Sequence, residues 1–164
     1  MVFIICWSSS HLDAGSTRKN VGNQIPKIQP DFVANAPQSI VGRPKLIEFW
    51  ATWCGPCVDN IPHLNKVHRS YSSKGLVVIG FTKEAERKVK DFVVSEKMEY
   101  PIAIDRGGRL QNYFGVKGIP HALLVDGTGK ILWEGHPSDL KDKAIEEAIK
   151  GSPPPTPRKL PKVL

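Results

Sequence analysis

The chain has 164 residues, of which 40% are hydrophobic and 24% charged. This composition is typical of one globular domain and excludes a disordered chain or a membrane bundle. The formal net charge is +7, but three of the basic residues, Arg158, Lys159 and Lys162, lie in a C-terminal tail without acidic residues. Basic and acidic residues alternate at 83–88, which is typical of a solvated helix face, so we expect no nucleic-acid partner.

The first 24 residues are predicted to form a flexible lead before the domain. Residues 1–7 are apolar, but they are too few to span a bilayer and lack the basic residues that precede the apolar part of a signal peptide. We expect an unstructured start; a remnant of an export signal or anchor, and a functional Cys6 thiol, are the alternatives. Residues 11–23 are polar and indicate a flexible connection. A short edge strand is predicted within 28–41.

The next segment is an apolar run that ends abruptly at two cysteines. Residues 45–50 read Lys-Leu-Ile-Glu-Phe-Trp, the pattern of a central strand buried on both faces. Apolar residues then recur at helical spacing from Val58 to Tyr71. Cys54 is therefore predicted at a strand-to-helix turn, and Cys57 in the first helical turn.

This position is expected to change the chemistry of the two thiols. The unpaired N–H groups and the positive dipole end at a helix start stabilise a thiolate and lower its pKa, so Cys54 is predicted to be nucleophilic. Two intervening residues let the Cys57 sulfur reach that of Cys54, so that Cys57 can complete an attack by Cys54 on a disulfide. We expect only Cys54 to be open to a substrate. A Cys-X-X-Cys motif beside a β-α-β pattern is a recognised redox signature.

The rest of the domain is predicted to alternate between strands and helices. Strands are predicted over 76–81, 100–104, 123–125 and 131–133, and helices over 85–93 and 110–114. A strand-helix-strand unit of this spacing has parallel strands. Residues 126–129 predict a tight hairpin turn. A last helix, capped by Ser138 or Asp139, is predicted to end at Gly151, and the proline-rich, basic residues 152–164 are expected to be disordered.

The stretch from Phe49 to Cys57, Phe-Trp-Ala-Thr-Trp-Cys-Gly-Pro-Cys, resembles the active-site segment of the thioredoxin superfamily. Its Trp-Ala-Thr-Trp form resembles that of the TlpA/ResA-type thiol-disulfide oxidoreductases, and Pro62 matches the kinked active-site helix of the family. The resemblance implies an α/β, thioredoxin-like fold over residues 25–151, with a central mixed sheet and helices on both faces. It also implies an enzyme in which Cys54 attacks and Cys57 resolves, with their disulfide as the redox centre and without a cofactor or metal.

The resemblance further implies a substrate-binding edge that faces the cysteines. By resemblance Pro120 is a cis-proline, and Ile119 before it offers the backbone edge that pairs with a substrate segment by strand addition. His121 stands where relatives commonly carry threonine; it either tunes the thiolate or packs with its ring partly exposed. Trp53 either forms an apolar platform beside the sulfur or packs in the core. The expected substrate-binding residues are Trp53, Gly55, Pro56, Ile119, Pro120 and His121.

Glu48 lies in the middle of the apolar strand, six residues before Cys54, where many thioredoxins carry a buried acid. Burial raises the pKa of a carboxyl, so Glu48 could accept the proton of Cys57 when that thiol must attack. The alternative is that Glu48 turns to a hydrated edge and is a surface acid. Asn60 stands where many TlpA-type sequences have glutamate, so the likeness to the cytochrome-maturation members is weaker.

The predicted function is dithiol-disulfide exchange that reduces protein disulfides, with disulfide-bonded proteins as substrates and an upstream thiol as electron donor. A Gly-Pro pair between the cysteines resembles the reducing members of the family. The first alternative is a metal-binding or metallochaperone module, although two cysteines supply only half of a tetrahedral site. The second is a thiol peroxidase, since related folds perform that chemistry. We expect a monomer and, by resemblance, a place in the cell envelope or periplasm, where a membrane tether is an open alternative.

Overall fold

A computed structural model describes residues 19–152, and every structural statement here concerns that part of the chain. The predictions for Cys6, for the opening apolar residues and for the proline-rich tail lie outside it. The strands are β1 (Asp31–Ala34), β2 (Lys45–Phe49), β3 (Val77–Thr82), β4 (Ile102–Ile104), β5 (His121–Val125) and β6 (Ile131–Gly135). The α-helices are α1 (Gly55–Asp59), α2 (Ile61–Tyr71), α3 (Glu86–Ser95), α4 (Arg109–Tyr113) and α5 (Asp142–Lys150). No helix of residues 19–152 has the length and apolar character that crossing a membrane requires.

The six strands form one mixed sheet in the order β1-β4-β3-β2-β5-β6. Strands β2, β3 and β4 are parallel, and the pairs β1-β4, β2-β5 and β5-β6 are antiparallel. Every residue of β2 is buried, because this strand has a partner on each side and is covered on each face. The predicted mixed sheet is confirmed, and the edge strand expected within 28–41 is β1.

Helices cover the two faces of the sheet unequally. The core on one face joins β2 to α1, α2, α3 and α5, and the core on the other joins it to α4 and to residues 25–40. Helices α2 and α3 share a face because the connections β2 to β3 and β3 to β4 are both right-handed crossovers in the same direction along the sheet. Helices on both faces are therefore confirmed, with only the short α4 on the second face.

The predicted active-site helix is divided into α1 and α2, which meet at Asn60. Pro62 explains the division, since it has no N–H to donate to the Val58 carbonyl, as a continuous helix would require. The regular pattern resumes where the Leu64 N–H donates to the Asn60 carbonyl at 3.1 Å. Cys57 thus lies on a separate five-residue helix, α1, and Cys54 directly precedes that helix.

The predicted start of the last helix is wrong. Ser138 and Asp139 do not cap it; they belong to a 3-10 turn in which the Ser138 N–H donates to His136 Nδ1 at 3.3 Å. The backbone at Leu140 is extended, and α5 begins only at Asp142, without a side-chain cap. A polar residue before an apolar stripe suits a turn as well as a helix cap, so the pattern alone does not separate the two.

The first described residues pack along β6, which is an end strand of the sheet. The Gly22 N–H donates to the Ile131 carbonyl at 2.8 Å, and the Ile131 N–H donates to the Asn23 carbonyl at 2.9 Å. Gly22 and Asn23 precede Ile25, the residue at which the sequence predicts the start of the domain. They are made by backbone groups of polar residues, which hydrophobic periodicity does not reveal.

Candidate active site

The paired cysteines lie at the junction of β2 with α1. Cys54 is the N-cap residue of α1, and its Sγ is 2.09 Å from the Sγ of Cys57, with the Cα atoms 5.2 Å apart. The Cys57 N–H also points at the Cys54 Sγ, with an N···S distance of 3.3 Å. Because α1 has only five residues, its dipole is short, and this local N–H group is the clearest stabiliser of a Cys54 thiolate.

The two cysteines differ slightly in exposure. In the disulfide form Cys54 is 5% exposed and Cys57 is 1% exposed. Cys54 is therefore the more exposed of the two cysteines, as expected, but it is not open to solvent in this form. The Cys54 sulfur is bonded to the buried sulfur of Cys57, which keeps it close to the core. Trp53 is 71% exposed, so core packing of this ring is excluded. Gly55 and Pro56 are also exposed, and the three residues form the outer surface of the motif.

A groove of about 480 Å³ lies beside the cysteine motif. Trp50 and Ile119 contribute apolar surface to it, while Lys83 and Lys117 add positive charge. The exposed Trp53 ring forms part of its wall. A larger groove of about 570 Å³ lies between residues 26–31 and α4. The smaller groove is lined by Ala51 and Trp53, which belong to the loop that carries Cys54, so it is the one that a substrate of the cysteines would enter.

The segment before β5 forms another wall of this groove. The Ile119–Pro120 peptide bond is cis, and both residues are partly buried. In the antiparallel pairing of β5 with β2, His121 lies opposite Phe49. This register brings Pro120 beside the end of β2, where the loop that carries Cys54 begins.

The His121 side chain lies on the sheet face opposite the cysteines. Its strand neighbour Phe49 belongs to the core of that face, whereas the cysteines belong to the other core. Its Nε2 is 2.9 Å from Oε1 of the buried Glu134, and 21% of the side chain is exposed. These contacts favour the packing alternative for His121.

Glu48 is buried in the middle of the sheet with 1% exposure. Side chains alternate along a strand, so Glu48 shares a face with Leu46 and Trp50, the face on which Cys57 is buried. Burial raises the pKa of Glu48 from 4.5 to about 8, although the nearby Asn60 amide and a tyrosine hydroxyl act in the opposite direction. The surface-acid alternative is therefore wrong, and this carboxyl can exchange a proton near neutral pH.

That tyrosine is Tyr100, which sequence analysis did not assign to the site. Its hydroxyl donates to Glu48 Oε2 at 3.4 Å, and its side chain is almost completely buried. Burial and the adjacent Glu48 raise the pKa of Tyr100, so the hydroxyl keeps its proton and remains a donor. Glu48 Oε1 and Asn60 Nδ2 make no hydrogen bond of normal geometry with any described residue. Glu48 is thus held by one oxygen only.

Glu84 is a second residue of the site that sequence analysis missed. It precedes α3, and its side chain is only 14% exposed, so the solvated helix face predicted for 83–88 does not include it. Its carboxylate accepts hydrogen bonds from the Thr52 N–H at 2.6 Å, the Thr52 hydroxyl at 2.8 Å and Lys88 Nζ at 2.6 Å. Burial alone would raise the pKa of Glu84, but these bonds outweigh burial and lower it. Glu84 anchors the loop that carries Trp53 and Cys54.

The chemistry that this arrangement supports is the making and breaking of disulfide bonds. Two sulfurs are within bonding distance, a groove with apolar and charged walls lies beside the motif that carries them, and a carboxyl of raised pKa is buried on the same face of the sheet. Within residues 19–152, no three His, Cys, Asp or Glu side chains are grouped as metal ligands would be.

Known proteins with similar sequences belong to the same chemical class. The chain is 30% identical over 159 residues to the thiol-disulfide oxidoreductase ResA of Bacillus thuringiensis subsp. konkukian, with 92% of this chain and 91% of that protein aligned. It is 33% identical over 135 residues to ResA of Bacillus cereus, with 77% and 78% aligned. A solved structure from Chlorobium tepidum, assigned as a thiol:disulfide interchange protein DsbE, matches with a TM-score of 0.61 and 30% identity over 66% of this chain and 82% of that one.

The fold and the cysteine pair together define a thiol-disulfide oxidoreductase with a thioredoxin-like fold. The family model described as Redoxin matches residues 20–149, and the chain belongs to this family. The predicted resemblance, fold class and dithiol-disulfide chemistry are confirmed.

Proposed function

We propose that this chain reduces disulfide bonds in protein substrates, with Cys54 as the attacking residue and Cys57 as the resolving residue. The observation that carries the proposal is the bonded pair Cys54–Cys57 at the start of α1, beside a groove with apolar and charged walls. Relatives named as thiol-disulfide oxidoreductases, aligned over most of their length, support the same chemistry.

The first step uses the dithiol form of the enzyme. The Cys54 thiolate, stabilised by the N–H of Cys57, attacks one sulfur of the substrate disulfide. A mixed disulfide forms between Cys54 and the substrate, and the other substrate sulfur leaves as a thiolate that takes up a proton. The substrate therefore needs access only to the Cys54 sulfur.

In the second step Cys57 releases the substrate. Its thiol loses a proton to the Glu48 carboxylate, and the resulting thiolate attacks the Cys54 sulfur of the mixed disulfide. The Cys54–Cys57 disulfide forms, and the second substrate sulfur leaves as a thiolate that takes up a proton, so two electrons have passed to the substrate. A thiol electron donor then reduces the enzyme disulfide. The raised pKa of Glu48 suits this role, because a carboxylate of ordinary pKa would be too weak a base for a thiol.

The substrate segment is proposed to lie along the groove, with its backbone paired to that of Ile119. Pro120 would face the sulfurs, and Trp53, Gly55 and Pro56 would contact the residues around the substrate disulfide. His121 would contribute to substrate binding indirectly, as the first residue of β5 directly after Pro120. Action as a monomer and a site in the cell envelope stay predictions, and a membrane tether stays an open alternative.

The test is insulin reduction, followed by turbidity, with dithiothreitol as electron donor. The natural protein should accelerate reduction, Cys54→Ser should be inactive, and Cys57→Ser should accumulate a mixed disulfide with insulin that mass spectrometry maps to Cys54. Absence of both turnover and adduct would reject the proposal. Stoichiometric binding of Zn²⁺ or Cu⁺ by the two thiolates without insulin reduction would favour the metallochaperone alternative.

A further inference from the structure

The loop of residues 115–120 forms part of the groove and connects α4 to β5. Its first two N–H groups bond back to α4, from Gly115 to the Asn112 carbonyl at 3.0 Å and from Val116 to the Gln111 carbonyl at 3.0 Å. Among the described residues, the backbone N–H groups of 117–119 make no loop or turn hydrogen bond. The part of the loop that faces the groove is therefore held mainly from its two ends.

Both ends of the loop are tied to one buried pair, Asn20 and Glu134. At the start of the loop, Asn20 Nδ2 donates to the Phe114 carbonyl at 3.0 Å. At its end, His121 Nε2 lies 2.9 Å from Glu134 Oε1. The pair itself is joined twice, because Asn20 Nδ2 donates to Glu134 Oε1 at 2.9 Å and the Asn20 N–H donates to Glu134 Oε2 at 3.0 Å.

The burial of this pair makes the contacts costly to break. Glu134 is 4% exposed and Asn20 is 8% exposed, so water cannot readily replace the hydrogen bonds they share. A buried carboxyl that loses its donors bears the full penalty of desolvation, so the pair holds its partners firmly. His121 and Glu134 lie on the neighbouring strands β5 and β6, and Asn20 comes from a segment 114 residues before Glu134; the network joins them on the face of the sheet opposite the cysteines.

We propose that Asn20 and Glu134 are positioning residues for substrate binding, which clamp the loop of residues 115–120 at Phe114 and at His121. The clamp rests on the proposed function, in which the backbone of Ile119 pairs with the substrate. It does not touch the sulfurs, so it affects the binding of an extended protein substrate and leaves thiol chemistry unchanged.

The kinetic test compares a protein disulfide with a small one. In Glu134→Gln and in Asn20→Ala, KM for insulin should rise about three- to tenfold, the range expected for one or two lost hydrogen bonds. The kcat for insulin, the rate with the small aromatic disulfide 5,5′-dithiobis(2-nitrobenzoate) and the redox potential should each change less than twofold. The double variant should show little more than the larger single effect, because the two residues act as one unit.

The matched control is Asn65→Ala. Asn65 is also buried at 8% exposure and also makes two loop contacts, donating to the Lys97 carbonyl at 3.0 Å and accepting from the Glu99 N–H at 2.9 Å. It lies away from the groove beside Trp53. Its loss should lower stability to a similar degree and leave KM for insulin unchanged.

A second measurement does not depend on activity. Amide hydrogen exchange of Gly115 and Val116, whose N–H groups bond back to α4, should be at least tenfold faster in oxidised Glu134→Gln than in the oxidised natural chain, and unchanged in Asn65→Ala. If Glu134→Gln does not fold, Asn20→Ala carries both measurements. Unchanged exchange with unchanged KM, or a parallel loss of rate on both disulfides, would overturn the clamp. Failure of the natural chain to reduce either disulfide would instead reject the proposed function, and exchange would still decide the clamp.

Discussion

Replacement of Glu48 by glutamine is the sharpest test of the buried carboxyl. The pKa of Glu48 is raised from its usual 4.5 to about 8 by burial, so the folded protein binds its proton more tightly than the unfolded chain does. The stabilising effect of that proton is complete below pH 4.5 and is lost as the pH rises through 8. At 1.36 kcal/mol per pKa unit the loss is about 5 kcal/mol, an upper value because neighbouring groups relax.

The assay is urea unfolding of the oxidised protein between pH 5 and pH 9, where the bonded cysteines do not titrate. The free energy of unfolding of Glu48→Gln, relative to that of the natural chain, should increase by about 4 kcal/mol across this range. Tyr100→Phe removes a hydrogen bond that lowers the pKa of Glu48, so its pH dependence should extend to higher pH. A difference between Glu48→Gln and the natural chain that stays constant with pH would refute the reasoning.

Two further predictions concern the surroundings of the site. Glu84→Ala should lower the free energy of unfolding by about 1–3 kcal/mol, because three donors lose their acceptor. In a double-mutant cycle with Thr52→Ala, urea unfolding should show a coupling energy of about 1 kcal/mol between the two residues. Additive effects would contradict the role of Glu84 as an anchor of the Thr52 loop. Gly80→Ala should cost about 1–3 kcal/mol by the same measurement, since a Cβ there would lie 2.8 Å from Trp50 Nε1. Gly55→Ala, whose Cβ would meet nothing within 4 Å, is its control, and equal losses in both would contradict the packing argument.

The parts of the site that sequence analysis predicts are those made by neighbouring residues. The cysteines are three residues apart, so their spacing and the strand-to-helix transition contain the information needed to place them. The apolar pattern from Lys45 to Trp50 indicates the central strand, and five of these six residues form it. Burial of Glu48 within it is one of the two alternatives that the sequence allows, and the structure decides between them. The division of the active-site helix follows from Pro62 alone.

The parts that it misses join distant segments. Glu84 reaches Thr52 across 32 residues, Tyr100 reaches Glu48 across 52 and Asn20 reaches Glu134 across 114. The sequence around each of these residues gives no sign of a role in the site. Glu84, for example, lies in a run of alternating basic and acidic residues that is typical of a solvated helix face. Their partners are chosen by the order of strands in the sheet, which no single segment encodes.

By itself, then, the amino-acid sequence determined the reactive pair, its place after a buried strand and the class of chemistry, because these depend on short-range backbone geometry and on a periodic apolar pattern. Only the tertiary structure decided that Cys54 is nearly covered in the disulfide form, that His121 turns away from the sulfurs, and which residues hold Glu48 and the loop of residues 115–120. Those features depend on burial and on hydrogen bonds between remote segments, and both arise only when the sheet has assembled.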